Sequence, residues 1–256
     1  MRRFYRLEDL NAELVNLVSF LSGAVLIIAG MVFRSYDENT SVILISVGSS
    51  IVASAVVVFL SSRYLTRYRE IQDMIEHWGI VGIFRTRAAM NTRADLTLTD
   101  LKRELDLMGF GFLAFRHSQG ATMEAKVRQG LRVRILTVDP YSQYVTQREQ
   151  DEGGVKGQIT QTILDLVHWV ERLKSMSPSP EGVQLKFCNS AMIQSYYRQD
   201  DYLYTGPYLY GKPSQQTISF EFKKGGLGYD YWASHFESLW NDADFARDHP
   251  AATLGR

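Results

Sequence analysis

Two long apolar runs without any charge stand near the start of the chain, at residues 14–33 and 42–60. At a rise of about 1.5 Å per residue, a helix made of either run is roughly as long as the hydrocarbon core of a bilayer is thick, about 30 Å. Buried helices of a soluble protein would need charged positions on a solvent-facing side, and both runs lack them. The pattern therefore predicts two transmembrane helices joined by a short external loop at residues 34–41.

The positive charges beside these runs predict their orientation, because cytoplasmic flanks of membrane helices are enriched in Lys and Arg. The flanking cations are Arg2, Arg3 and Arg6 before the first run and Arg63, Arg67 and Arg69 after the second, against Arg34 alone in the loop. We therefore expect a cytoplasmic N-terminus at residues 1–13 and a cytoplasmic C-terminal domain.

A stripe of residues at alternating steps of four and three follows the second helix and continues past the apolar run, as in a heptad pattern. Inside the membrane the residues of the stripe are mostly small, which permits close approach of another helix. Beyond the membrane they are aromatic or aliphatic. The stripe consists of Ser46, Ser50, Ser54, Val57, Ser61, Tyr64, Tyr68, Ile71, Ile75 and Trp78. It predicts one helix that includes a stalk at residues 61–78.

The same stripe has two interpretations. One is an interface of a homo-oligomer, a tetramer or a higher even number, formed by Ser46, Ser50, Ser54, Tyr64, Tyr68, Ile71, Ile75 and Trp78. The other is packing within the chain, against the first helix and the soluble domain.

Residues 79–243 alternate between strand and helix patterns, which predicts an α/β domain with a mixed sheet covered by helices. Predicted strands are 79–85, 111–117, 131–140, 183–190 and 216–222, with a hairpin over 192–211 that turns near Asp200 and Asp201. Predicted helical segments are 99–108, 121–130, 155–174 and 229–243. In the second of these, Gly130 is expected to terminate the helix. The tail at 244–256 is expected to be frayed.

Charge and cysteine content narrow the function classes. The 28 Lys and Arg residues equal the 28 Asp and Glu residues, so an anion site must come from local clustering of cations. The single cysteine, Cys188, excludes an intrachain disulfide and fits a reducing compartment. The histidines have no metal-ligand spacing, so neither a metal nor a cofactor is predicted.

Several phrases resemble one half of the phospholipase D superfamily over residues 79–243. They are KRELDLMGFGFLAF, KVRQGLRVRILTVDP, DDYLYTGPYLYG and the ending HFESLWNDA. The resemblance implies a phospholipase D-like half as the fold, present here in a single copy.

Enzymes of that superfamily carry an H-x-K-(x)4-D motif on the hairpin. Counting back from Asp201 places Gln194 and Tyr196 at the histidine and lysine positions, and counting from Asp200 places Ile193 and Ser195 there. None of these residues can replace the histidine nucleophile or the lysine cation. We therefore expect a domain that binds and does not cleave.

Ligand sites of α/β sheets lie at the carboxyl ends of strands, and polar residues collect in these predicted loops. The candidate ligand-binding residues are Arg85, Arg87, Arg116, His117, Ser118, Arg198, Tyr208, Tyr210, Lys212, Gln215 and Gln216. Guanidinium groups pair with phosphates and aromatic rings stack on bases, which predicts a nucleotide or single-stranded oligonucleotide ligand. Tyrosine is also common in strands, and a structural role for His117 is an equal alternative. Arg132 and Arg134 are expected to reach solvent or an acidic neighbour such as Glu124.

The architecture also resembles two-helix membrane effectors of bacterial anti-phage defence, such as those of the Hailong type. This resemblance implies a non-enzymatic effector in the bacterial inner membrane whose ligand controls membrane disruption or pore formation. It also implies that a nucleotidyltransferase encoded nearby makes the signal. Two alternatives stay open: a membrane-bound phosphodiester-cleaving enzyme with His117 as nucleophile, and a membrane anchor that displays a protein-binding domain.

Overall fold

The computed structural model of the chain describes residues 2–248, with the side chains of 14–62 and 71–248. These residues form two compact units that divide between Met74 and Ile75. Among the predicted interface residues, Tyr64 and Tyr68 have side chains outside the described set, as do Arg2, Arg3, Arg6, Arg63, Arg67 and Arg69.

The described part of the chain contains seven α-helices, eight strands and one short 3₁₀ helix at Ser214–Gln216. The helices are α1 Arg2–Phe33, α2 Glu38–Trp78, α3 Arg87–Leu98, α4 Leu113–Arg128, α5 Gln143–Glu152, α6 Gln158–Met176 and α7 Leu227–Asn241. The strands are β1 Ile80–Phe84, β2 Glu104–Met108, β3 Arg132–Val138, β4 Val183–Cys188, β5 Gln194–Gln199, β6 Tyr202–Pro207, β7 Ser219–Lys223 and β8 Ala246–Arg247.

The N-terminal unit contains two helices long and apolar enough to cross a membrane. The qualifying segments are Leu14–Phe33 in α1 and Glu38–Ser62 in α2, and only 11% of the most apolar window of each is buried within the chain. Helices of a soluble core would be mostly buried, so this exposure suits a lipid surrounding.

Glycines bring α1 and α2 together. A Cβ on Gly48 would lie 2.6 Å from the carbonyl oxygen of Gly23, so only glycine permits this approach. Near the loop, the buried Ser41 donates a hydrogen bond of 2.7 Å from Oγ to the carbonyl oxygen of Gly30. The hairpin therefore packs through the Gly48 face of α2.

The predicted serine stripe lies on another face of α2. Ser46, Ser50 and Ser54 are exposed, and they border a shallow groove together with Asn16 and Ser19 of α1. Ile71, Ile75 and Trp78 are also exposed. Packing between the two helices of one chain thus leaves this stripe uncovered.

The C-terminal unit is built on one eight-stranded mixed sheet of order β1-β7-β6-β5-β2-β3-β4-β8. Strands β2, β3 and β4 are parallel, and the remaining pairs are antiparallel. Helices α3, α4 and α6 cover one face, which we call the cavity face, and α7 covers the other. The core between sheet and helices includes Leu105, Val133, Ile163 and Phe236, all fully buried.

The helix predicted at 99–108 is wrong. The structure has α3 at Arg87–Leu98 and then β2 at Glu104–Met108. The spacing of Leu101, Leu105 and Met108 suggested a helix, but Leu105 and Leu107 form a period-two pattern that buries one strand face. Asp106, on the other strand face, is buried by ion pairs, which local periodicity does not reveal.

The strand predicted at 111–117 is also wrong, because α4 already begins at Leu113. The preceding residues Gly111 and Phe112 have positive φ angles of 53° and 51°, and this left-handed turn leads from the sheet into the helix. Helix α5 was not predicted, since its sequence QYVTQREQDE has few apolar positions.

The expected frayed tail needs a correction as well. Ala246 and Arg247 form β8 and pair with Cys188 and Phe187 at the edge of the sheet. Ala246 is buried in the hydrophobic core, and this burial stabilises the segment against the sheet edge. Residues 249–256 lie outside the described part.

The other predicted elements are confirmed. The strands predicted at 79–85, 131–140, 183–190 and 216–222 correspond to β1, β3, β4 and β7, and the last two predicted helices to α6 and α7. Gly130 follows the end of α4 with a φ of 94°. The hairpin β5–β6 turns at Asp200, whose φ is 46°, as the position of the two aspartates predicted.

Candidate ligand-binding cavity

A cavity of about 560 Å³ opens on the cavity face of the sheet. Four groups of residues line it: α3, the segment from β2 into α4, the segment from α5 into α6, and the strands β5 and β6 with the turn at 213–215. This volume is within the range of about 300–1,000 Å³ that is typical of sites for one small molecule.

Aromatic rings form much of the wall. Tyr197 and Tyr204 project from the sheet with ring centroids 5.7 Å apart, and Phe115 of α4 packs 5.5 Å from Tyr197. Burial raises the pKa of Tyr197 and of Tyr204 above the ordinary value, so both phenols are neutral at physiological pH. The wall therefore offers flat apolar surfaces, and the two hydroxyl groups are hydrogen bonded to Gln199 and Glu221 within the protein.

The loop into α4 places another ring, that of Phe112, in the wall. Its φ of 51° is a left-handed conformation that a bulky side chain rarely adopts. The preceding Gly111 packs so closely on Thr162 of α6 that a Cβ would collide with its side chain. Strained backbone of this kind often occurs at binding sites.

Arg87 is the positively charged side chain in the cavity wall. It is 7% exposed, and its guanidinium has one long hydrogen bond, 3.4 Å from Nη2 to the carbonyl oxygen of Gly206. Its Nε has no hydrogen-bond partner. No carboxylate among the described residues comes within the 4.0 Å that defines an ion pair.

Tyr208 lies between the strand and the loop and contacts two arginines. The guanidinium carbons of Arg87 and Arg148 lie 4.7 and 4.9 Å from its ring centroid. Arg148, unlike Arg87, has a carboxylate partner in Glu152, and it donates to the carbonyl oxygens of Leu209 and Lys212. Arg148 thus holds the loop after β6 against α5.

Three carboxylates also line the cavity: Asp95, Glu149 and Glu152. Glu149 is buried, and its carboxylate accepts hydrogen bonds from the backbone N–H groups of Gly157 and Ile159 at 2.7 and 2.8 Å. A negative charge at the start of α6 is stabilised by the helix dipole. Asn91 and Gln215, hydrogen bonded at 3.0 Å, add amide groups.

Of the predicted ligand residues, four line this cavity: Arg87, Ser118, Tyr208 and Gln215. The others lie elsewhere. Arg85, His117, Tyr210, Lys212 and Gln216 are exposed and are absent from the cavity wall.

Two predicted arginines serve the fold. Arg116 donates to the carbonyl oxygens of Gly111 and Thr162 at 2.9 and 3.1 Å, and burial lowers its pKa. Arg198 pairs with Asp106 and Glu104 on the sheet face under α7. Neither guanidinium reaches the cavity.

The expectation that Arg132 and Arg134 reach an acidic neighbour is confirmed, but that neighbour is not Glu124. Arg132 pairs with Glu104, and Arg134 is buried between Asp106 and Glu237. Glu124 pairs instead with Arg172 at 3.3 Å. Strand pairing brings these partners together from distant segments.

Sequence reasoning missed several wall residues. Phe112 and Tyr197 were assigned to strands without a site, and Asp95 and Glu149 belong to helices that were not predicted. The glycines at 109 and 111 were the available signal, because they permit close approach of Tyr208 and Thr162.

The positions of the superfamily motif have other roles here. Asp200 accepts backbone hydrogen bonds from Lys102, Arg103 and Glu104 at 2.9–3.0 Å. Tyr196 is buried and stacks on Phe236 with centroids 4.8 Å apart.

Burial raises the pKa of Cys188 to about 11, which keeps this thiol protonated. Within the described part, no cluster of three or more His, Cys, Asp or Glu side chains could hold a metal.

Comparison with known proteins gives a family and a distant structural likeness. No curated protein matches the chain. Among solved structures, an archaeal chromatin protein, TrmBL2, whose structure is described as showing a novel mode of DNA binding, is similar with 10% identity and a TM-score of 0.40. The match covers 80% of this chain and 69% of that one. A family described as "Domain of unknown function (DUF5919)" matches residues 77–206, slightly more than half of the chain, and the protein therefore belongs to that family.

Proposed function

We propose that this protein is a non-enzymatic membrane sensor whose C-terminal domain binds a nucleotide or a short single-stranded oligonucleotide. The observation that carries the proposal is the cavity of about 560 Å³, whose wall combines several aromatic rings with the buried Arg87. Rings supply stacking surface for a base, about 1–3 kcal/mol each, and a guanidinium supplies the counterion of a phosphate.

The proposed ancestry is a phospholipase D-like half that has lost its catalytic motif. In the register that counts from Asp200, Ser195 stands at the lysine position. Ser195 Oγ and Arg87 Nη2 both donate to the carbonyl oxygen of Gly206, at 3.3 and 3.4 Å. A cation from α3 therefore lies beside the position from which the superfamily's lysine would extend, which supports a retained phosphate site.

The position of His117 favours binding over catalysis. An enzyme of the alternative kind would need this histidine as a nucleophile near the bound phosphodiester. His117 is exposed, and it is absent from the cavity wall.

The proposal extends to the membrane unit. We infer that the helices cross the bacterial inner membrane with the N-terminus and the domain in the cytoplasm, and that α2 carries the state of the ligand to the membrane. The uncovered stripe of Ser46, Ser50 and Ser54 supports self-association. An oligomer of several copies, a tetramer or a higher even number, could then disrupt the membrane or form a pore, as an anti-phage effector does.

A membrane anchor that displays a protein-binding domain is the second candidate. It is favoured by apolar side chains on the edge strand β1, where Val81 and Ile83 are 50% and 62% exposed. Such exposure suits contact with a partner protein.

The decisive experiment uses the full chain purified in detergent. Mass spectrometry of molecules released on denaturation should detect a nucleotide or oligonucleotide, and calorimetry should reproduce its binding. Tyr208→Ala should weaken this binding at least tenfold, because the ring lines the cavity. Tyr210→Ala is the matched control, since Tyr210 is 85% exposed and outside the wall. A stoichiometric protein partner with no bound nucleotide would support the second candidate instead.

A further inference from the structure

The charges in the cavity wall select among nucleotide-type ligands. Among the described residues of the wall, Arg87 is the only cation, whereas Asp95, Glu149 and Glu152 are acidic. Arg148 offsets the charge of Glu152, so Asp95 and Glu149 are the wall carboxylates that remain without an ion pair among the described residues. A ligand with several phosphates would bring its second and third negative charges close to these carboxylates. The wall is therefore unsuited to a triphosphate or to a long strand with many phosphates.

Arg87 itself lacks the partner that a buried charge requires. Buried arginines are normally paired with carboxylates, because desolvation of an unpaired charge is costly. The face of Tyr208 compensates part of this cost, but an aromatic ring does not accept the guanidinium's hydrogen bonds as an anion does. The Nε of Arg87 is a buried donor without a hydrogen-bond partner, so the guanidinium is not fully satisfied by the surrounding protein.

The strand floor next to Arg87 is made of small residues. Gly206 pairs across the hairpin with Ser195, and a Cβ on Gly206 would collide with the backbone of Ile218. Gly206 is thus required by the close approach of the Ile218–Ser219 backbone, and its carbonyl oxygen accepts the hydrogen bond from Arg87. Ser195, which lines the cavity, adds a hydroxyl group beside the same carbonyl oxygen.

We propose that the ligand carries a single negative charge, on one phosphodiester group bound by Arg87 and Ser195, and a planar base held by the aromatic wall. The inference rests on the proposed nucleotide-binding function and specifies its ligand class. Two kinds of molecule share this chemistry: a cyclic mononucleotide, and a dinucleotide without terminal phosphates. Both are monoanions that one guanidinium neutralises.

The first test compares ligand charge by calorimetry on the full chain in detergent. The probes are a 3′,5′-cyclic mononucleotide, an unphosphorylated dinucleotide, the nucleoside and the nucleoside triphosphate, each with adenine, guanine, cytosine and uracil. At least one monoanion should bind about tenfold more tightly than both its nucleoside and its triphosphate. Whether the cyclic mononucleotide or the dinucleotide binds more tightly identifies which of the two kinds of molecule is the ligand. A triphosphate that binds most tightly would overturn the inference and leave the proposed function intact.

The second test removes the cation. Arg87→Gln should weaken the affinity for the monoanion by about tenfold or more, because one charge-assisted interaction is lost. The affinity for the nucleoside should change less than twofold. Arg85→Gln, an exposed residue outside the wall, is the matched control and should change both less than twofold. Unchanged monoanion affinity in folded Arg87→Gln would also overturn the inference alone. Absence of binding by every probe would overturn the inference and the proposed function together.

A third measurement separates a binding role of Arg87 from a structural one without ligand. An unpaired buried charge destabilises the empty protein, so Arg87→Met should raise the Tm of the ligand-free chain by roughly 2–4 °C. If Arg87 only supported the fold, the same substitution would lower the Tm, and this result would count against the inference.

Discussion

The buried arginines of the C-terminal unit differ in whether carboxylates surround them. Arg134 and Arg198 share Asp106, which is fully buried, and each also reaches a glutamate, Glu237 or Glu104. Arg87, on the other sheet face, has only a carbonyl oxygen and a ring. The first group forms a network of ion pairs, and the second residue has no carboxylate partner among the described residues.

Removing Asp106 should therefore be costly. Asp106→Asn leaves two buried guanidinium groups without their shared carboxylate, and we expect the free energy of unfolding to fall by roughly 3–5 kcal/mol. Asp201→Asn is the control, because its pair with Arg103 is exposed and such pairs contribute little to stability. Denaturant titration followed by tryptophan fluorescence measures both, and equal losses would contradict the network.

Glu237 should make stability depend on pH. Its hydrogen bond from Arg134 lowers the pKa of this carboxyl below the ordinary 4.5. A lowered folded-state pKa means that the unfolded chain binds the proton more readily. The contribution of Glu237 is thus complete above about pH 4.5 and is lost as the pH falls through the folded-state pKa.

The measurement is denaturant titration at pH values from 7 down to 3. Wild type should lose stability more steeply than Glu237→Gln below pH 4.5, since the variant cannot take up this proton. Glu171→Gln, which removes an exposed pair with Lys174, should follow the wild-type curve. Parallel curves for wild type and Glu237→Gln would show that the pair contributes nothing.

At the scale of elements, the second helix has two faces with different tasks. Gly48 and Ala55 are buried at the contact with α1, while Ser50 and Ser54 lie exposed along the groove beside α1 and donate to carbonyl oxygens of their own helix. Serines bonded in this way present a narrow surface that permits another helix to approach. This division of faces is the basis for expecting contact between copies.

Single-cysteine crosslinking tests that contact in native membranes. In a Cys188→Ala background, Ser50→Cys should give dimers on mild oxidation, because its side chain is uncovered. Ala55→Cys should give none, since this position is buried within the hairpin. No dimer from Ser50→Cys or from Ser54→Cys would contradict the oligomer interface.

For the whole molecule, we expect strong expression in bacteria to depolarise the inner membrane, as a membrane effector would. The double substitution Ser50→Leu and Ser54→Leu should abolish the effect by blocking close helix approach, whereas Val42→Leu on another exposed position should not. A membrane-potential dye and growth curves measure the outcome. Normal potential and growth under strong expression, with and without nucleotides, would contradict the effector role.

Much of the local structure could be predicted from short stretches of sequence. The length of the uncharged runs identified the two apolar helices. Gly130 marked the end of α4, and Asp200 with Asp201 marked the hairpin turn. The errors occurred where local spacing was ambiguous, as in the β2 segment ELDLM, whose aspartate is buried only because β3 and β5 supply arginines. Ion pairs across strands have no local pattern, so such segments cannot be read alone.

The sequence by itself determined the two apolar helices and the α/β alternation, because chain length, charge and hydrophobic period act within a few turns or strands. Tertiary structure decided which arginine is paired with carboxylates. Arg87 and Arg198 look equally suited to phosphate in the sequence, but strand register joins Arg198 to Asp106, and α3 leaves Arg87 in a cavity without a carboxylate partner among the described residues. Whether a charge is free to bind depends on neighbours that are distant along the chain.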